Sequence, residues 1–233
     1  MTMKILAIIP AHNEENNIGA VIERLRRDAG GVDVLVVDDC SKDRTREVAR
    51  HHGARVISLA VNLGIGGAVQ TGFKYAVMKG YDVAVQVDAD GQHDPTQIRE
   101  LTRAIEGGSA DVVIGSRYLQ DRGYKTPVAR RAGMLVFSWL TSVICRRKIT
   151  DTTSGFRALN REVLSFFAEQ YPVDFPDSEA LIILHRKGFR IVEIPVTMCA
   201  RSDGTSSIGL VKSFYYPYRS FLGILAALLR RER

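Results

Sequence analysis

Cysteine is scarce in this chain: three in 233 residues, at 40, 145 and 199, with no CxxC and no metal-type spacing. An odd, scattered set argues against a disulfide framework and for a reducing compartment. No stretch reaches the roughly 18 uninterrupted apolar residues that a spanning helix needs. The N-terminal MTMKILAIIPAHNEE has a short apolar run closed by a proline and acids, so it reads as a first strand and not as an export signal. GxxxxGK[ST] is missing, which argues against a P-loop ATPase. Internal repeats and low-complexity tracts are missing too.

What is there is an ordinary globular composition, 45% apolar and 25% charged, long enough for one sizeable α/β domain. The net charge of +6 favours anionic partners: nucleotides, phosphorylated substrates or an anionic membrane surface. Nucleic acid is disfavoured, because the basic residues flank apolar helices and do not interleave with stacking aromatics.

Apolar runs and helical spacing alternate along the first half. Strands are expected at 4–10, 33–37, 55–59, 82–87 and 111–115. Ile18, Val21, Ile22 and Leu25 recur at helical spacing after the first, and helices near 44–51, 67–79 and 95–105 follow the next three. Strands that are apolar throughout and alternate with helices predict a mostly parallel sheet covered on both faces, with ligands beyond its carboxyl edge. The second half predicts helices at 128–145, 162–168 and 178–187, strands at 155–159 and 189–198, and an amphipathic helical tail at 208–229 broken at Pro217. The division expected is a domain over 1–207 and a tail over 208–233 for membrane or oligomer contact.

Acidic groups gather at the expected strand ends: Glu14 and Glu15 after the first, Asp38 and Asp39 after the second, Asp88 and Asp90 after the fourth. In AVQVDADGQHDP, residues 84–95, two carboxylates one residue apart fall on one side of an extended chain, and such a pair calls for a cation. Oxygen donors without thiolates suit Mg²⁺ or Mn²⁺, which complete their shells with water and substrate phosphates. Two readings stay open for Asp38 and Asp39, a ligand site or turn and cap residues. His93 is read either as a metal ligand or as a solvated loop residue. The glycines at 64, 66 and 67 do not fit GxGxxG, because position 69 is Val. They serve either a tight turn and helix start or close backbone approach to a nucleotide.

IIPAHNEE, VVDDCSKD, NLGIGGAVQTG, VDADGQHDP, GSRY and DTTSGFRALN, in this order, resemble the family 2 glycosyltransferases of the dolichyl-phosphate mannose synthase-like group. The resemblance covers almost the whole chain. It implies a GT-A fold, a nucleotide-sugar donor, a divalent cation and an inverting transfer, commonly to a polyprenyl phosphate. Position by position, it implies that Pro10, Ala11, Glu14 and Asp38 line the nucleotide with Asp39 nearby. It makes Asp88 and Asp90 a DxD motif with Gln92 beside them as metal ligands, Asp90 foremost. It sets Arg117 and Arg131 against the acceptor phosphate, and Arg201 and Ser206 over the diphosphate. Ser207 stands where the mannose synthases tend to carry Lys, a departure that bears on the donor.

A phosphate monoester acceptor is already anionic near pH 7, its second pKa being about 6, so it needs positioning and no general base. A hydroxyl acceptor needs a base. FPDSEALI offers Asp177 and Glu179 for that role, although a Pro-Asp-Ser start followed by Glu is equally a helix N-terminus. GMLVFSWLTSVIC, residues 133–145, has basic flanks, as does the apolar tail, and both suit an interfacial helix as well as core or oligomer contact. The leading expectation is a peripheral enzyme on the cytoplasmic face of the membrane, with a homo-oligomer or an integral membrane protein as partner. The alternatives are transfer to a saccharide hydroxyl in surface glycan synthesis and a non-catalytic membrane recruiter.

Overall fold

The computed structural model describes residues 3–120, 128–172 and 176–199. Arg201, Ser206 and the expected tail lie outside them, as does the side chain of Arg131. The chain runs β1 (Ile5–Ala11), α1 (Ile18–Asp28), β2 (Val32–Asp38), α2 (Thr45–His51), β3 (Arg55–Ser58), α3 (Gly64–Met78) and β4 (Val83–Gln86). A short 3₁₀ turn (Pro95–Gln97) leads into α4 (Ile98–Glu106). Then come β5 (Val112–Ser116), α5 (Val128–Ile144), β6 (Arg157–Asn160), α6 (Arg161–Glu169), α7 (Pro176–Arg186) and β7 (Ile191–Pro195).

The seven strands form one sheet in the order β3-β2-β1-β4-β6-β5-β7, and β6 alone runs against the rest. The alternation of side chains along β1 builds both cores at once. Leu6 and Ile8 face a cluster with Phe73, Phe167 and Leu181, and Ala7 and Ile9 face a second with Ile22, Leu25 and Leu101. α3 lies close enough to the sheet that a methyl on Gly72 would stand 2.4 Å from Ile8 Cγ2.

The glycines that precede it at the start of α3 have local roles as well. Gly64 takes φ +75° at the helix start, and a methyl on Gly67 would stand 2.5 Å from Leu63 Cβ. Both are local needs of a turn entering a helix.

Candidate active site at the carboxyl edge of the sheet

The chain leaves β1 toward β2 and β3 on one side and returns to β4 on the other, so the strand order reverses between β1 and β4. Open α/β sheets bind ligands at such a switch point. β1 delivers Pro10 and Ala11 there, with Ala11 in register with Asp38 at the end of β2. Because β6 is antiparallel, its amino end lies at this same edge and brings residues 151–155 beside the end of β4.

The β1 and β2 ends are tied to each other. Asp39 N–H donates to Ala11 O (2.8 Å), and the Asp39 carboxylate accepts the N–H groups of Leu63 (2.7 Å) and Gly64 (2.9 Å). Asp39 therefore holds the entry to α3, which is the turn-and-cap alternative. Asp38 is buried and accepts Ser41 N–H at 3.2 Å. The Glu14 side chain accepts from Asn17 Nδ2 (2.8 Å), and its carbonyl starts α1.

The DAD segment differs in one respect from the expected geometry. β4 stops at Gln86, so a turn and not strand alternation presents Asp88 and Asp90. Gly91 at φ +75° closes that turn, with Gln92 N–H on Asp90 Oδ1 at 3.1 Å. Asp94 caps the following 3₁₀ turn through Thr96 N–H (3.1 Å). His93 is neither solvated nor placed as a ligand. It is buried, its Nδ1 accepts Asp88 N–H (3.0 Å), and its ring stacks on Phe156. Asp88 itself keeps 39% of its side chain exposed, within reach of a ligand.

Arg117, just past β5, meets Asp151 edge-on. Nε and Nη2 donate to the two carboxylate oxygens at 2.7 Å each, and the Arg117 N–H adds a third bond at 3.0 Å. The Asp151 side chain is wholly buried. Glu193 on β7 fixes the same segment by accepting the N–H groups of Thr150 (2.8 Å) and Asp151 (2.9 Å). Burial pushes the Glu193 carboxyl up, and those N–H bonds pull it back. Arg157 on β6 gives its guanidinium to the carbonyls of Ser154 and Thr152, both at 2.7 Å.

Asp177, at the start of α7, senses Arg157, Asp88, Arg117 and Asp151. Burial pushes it up to about 6; Arg157 and Arg117 oppose the rise, and Asp88 and Asp151 add to it. One electrostatic neighbourhood thus joins the DxD turn to the Arg117–Asp151 pair. The sequence marked Asp177 as cap or base, but Asp151, Arg157 and Glu193 carried no assignment. Glu193 had a signal of its own, a lone acid inside the apolar run RIVEIPV.

Beside Arg117 and Asp151 a cavity of about 680 Å³ opens along α5, with their neighbours Tyr118 and Thr150 in its wall. Ser138 donates to the Ile149 carbonyl and Ser142 Oγ accepts the Ile149 N–H (2.9 Å), so the segment after α5 folds back along the helix. Leu135, Trp139 and Val143 line the cavity together with Arg146, Arg147 and Lys148. These three apolar residues are more than half exposed. Among the described residues no helix is long and apolar enough to cross a membrane.

Seven strands in this order, with helices on both faces, are a GT-A-like arrangement. The mycobacterial glucosyl-3-phosphoglycerate synthase, solved with Mn²⁺, UDP and phosphoglyceric acid, shares the fold. Its TM-score is 0.77 over 99% of this chain and 80% of that one, at 22% identity. Residues 6–167 match the family described as glycosyl transferase family 2, and the chain belongs to that family. An undecaprenyl-phosphate mannosyltransferase of Micrococcus luteus is 34% identical over 88% of each chain. A UDP-N-acetylglucosamine–dolichyl-phosphate N-acetylglucosaminyltransferase of Methanococcus voltae is 33% identical over 91% of this chain and 93% of its own. A polyprenol monophosphomannose synthase of Mycolicibacterium smegmatis is 33% identical over 89% and 82%. The resemblance noted in the motifs holds along the chain, and the protein is a glycosyltransferase.

Proposed function

We propose that this glycosyltransferase moves a sugar, with inversion, from a nucleotide-diphosphate donor to a polyprenyl phosphate at an anionic membrane surface, with a divalent cation. The observation that carries the reading is the cavity beside Arg117. Its wall combines exposed Leu135, Trp139 and Val143 with Arg146, Arg147 and Lys148, which suits an acceptor with an apolar chain and an anionic head. The three relatives named above, whose names specify lipid-phosphate acceptors, support it.

The residues fit a hard cation. Asp88, Asp90 and Gln92 offer oxygen donors, and among the described residues no group of three or more His, Cys, Asp or Glu is gathered to hold a metal ion by itself. A small ligand set leaves positions for substrate phosphates, as Mg²⁺ and Mn²⁺ sites of this kind require. When bound, the ion neutralises the departing diphosphate as a Lewis acid. Pro10, Ala11, Glu14 and Asp38 line the nucleotide, with Asp39 holding the neighbouring α3 entry. Arg201 and Ser206 add contacts to the diphosphate. Arg117, its plane set by Asp151, and Arg131, from the first turn of α5, hold the acceptor phosphate. That phosphate's own oxygen attacks the anomeric carbon as the bond to the diphosphate breaks, and no side chain takes a proton.

A second reading, transfer to a saccharide hydroxyl, is favoured by one observation. Asp177 sits in the same electrostatic neighbourhood, pushed up to about 6, a range suited to a general base. Incubation with UDP-, GDP- and dTDP-sugars, Mn²⁺ and a short polyprenyl phosphate separates the two. The leading reading expects a glycolipid that Asp90→Ala abolishes and Asp177→Asn retains. Nucleotide release without glycolipid, lost in Asp177→Asn, would favour the hydroxyl acceptor.

A further inference from the structure

The two carboxylates of the DxD turn are held differently, and the difference centres on His93. Asp88 N–H donates to His93 Nδ1 at 3.0 Å, so the ring proton sits on Nε2. That nitrogen lies 3.5 Å from Asp88 Oδ2. Neither ring nitrogen then has a lone pair to offer a cation. The ring is fixed from two further directions. It stacks on Phe156 with centroids 4.6 Å apart and planes 17° from parallel, and the His93 main chain bridges Met198 beyond β7.

Phe156 follows Gly155, and Gly155 is the second part of the seat. A methyl there would stand 2.7 Å from Asp88 Oδ1 and 2.9 Å from Oδ2, closer than a carbon and an oxygen can approach. The φ of Gly155 is not among the left-handed ones, so backbone conformation does not demand glycine. A methyl there would instead push the Asp88 carboxylate out of its present place.

We infer that His93 and Gly155 are positioning residues that pre-set the Asp88 carboxylate for the cation. His93 clamps the Asp88 main chain and turns an N–H toward one carboxylate oxygen, while the bare Cα of Gly155 leaves the carboxylate its place. A carboxylate held this way loses little freedom when the cation–diphosphate arrives, and such supporting partners are worth about 10- to 100-fold in metal affinity. The inference rests on reading Asp88 and Asp90 as the cation site.

The test is an electron paramagnetic resonance titration of Mn²⁺ into the full chain, with whichever of UDP, GDP and dTDP the wild type binds. His93→Ala and Gly155→Ala are expected to weaken Mn²⁺ binding by about 10- to 100-fold and to alter the bound-ion spectrum. His93→Asn, whose side-chain oxygen sits where Nδ1 was, should recover much of the loss. Wild-type Mn²⁺ affinity in Gly155→Ala and His93→Ala would overturn the inference. So would a loss that follows the melting temperature, with Asn no better than Ala. Absence of Mn²⁺ binding by the wild type with all three nucleotides would instead remove the cation reading, and the inference with it.

Discussion

Arg117→Ala should damage the fold as much as the reaction. Asp151 is wholly buried and takes three bonds from Arg117, two of them from the guanidinium at 2.7 Å. Without the guanidinium the buried carboxylate loses its counter-charge, keeping the Arg117 N–H and the Thr153 hydroxyl, near Asp177 and beside the segment that Glu193 holds. Breaking a buried pair from one side costs about 3–5 kcal/mol, against a total stability of about 5–15 kcal/mol for a domain. Asp151→Ala removes two bonds from the guanidinium, which keeps the Thr153 hydroxyl at 2.7 Å and some solvent contact, and should cost less, whereas the double variant removes both charges. The expected coupling from the double-mutant cycle is about 2 kcal/mol or more. Urea unfolding followed by far-ultraviolet circular dichroism, with slopes compared across the four proteins, measures it. An Arg117→Ala variant within about 0.5 kcal/mol of wild type, the ordinary scatter of surface substitutions, would refute the reasoning. Arg117 would then serve the ligand alone.

Asp177→Asn addresses the pH dependence of the ligand-free protein. The unfolded carboxyl loses its proton near 3.8 and the folded one near 6, so the stability contribution is intact below pH 4 and lost as pH rises through 6. At about 1.4 kcal/mol per pH unit the loss is up to about 3 kcal/mol, an upper bound because Asp177 keeps some solvent contact; the Asn variant should lack this slope in urea titrations from pH 4 to 8. Gly72→Ala forces a methyl onto Ile8 and should lower stability by about 1–3 kcal/mol, read as a thermal shift. Replacing Leu135 and Trp139, both more than 60% exposed, with Ser should reduce co-sedimentation with anionic vesicles severalfold without lowering the melting temperature. Unchanged sedimentation would move lipid contact away from α5.

The sheet was legible because buried parallel strands are apolar from end to end, and the expected strands at 4–10 and 33–37 fall within a residue of β1 and β2 at all four ends. The order of the sheet was not legible, since nothing in GFRAL declares that β6 runs backwards between β4 and β5. Motif residues pointed to the right edge, but their employment follows from contacts distant in sequence. Asp39 holds an amide 25 residues on, and Glu193 anchors a segment 42 residues before it. Period-two spacing put Asp88 and Asp90 on one side of an extended chain beyond the fourth strand, and the turn closed by Gly91 overrode it. His93 looked like an exposed loop residue because its burial depends on Phe156, 63 positions later.

The reversed strand also sets a timetable for assembly. β1 to β4 pair among themselves in a segment that ends at residue 86, so that half of the sheet can form as soon as it is synthesised. β5 is made next, yet its neighbours in the sheet are β6 and β7, which end at residues 160 and 195. Until they arrive, both of its edges are open, and long-range pairing of this kind is slow and prone to misassociation. In order of synthesis, the half of the sheet that leads to Arg117 and the α5 groove therefore completes its pairing after the half built from β1 to β4.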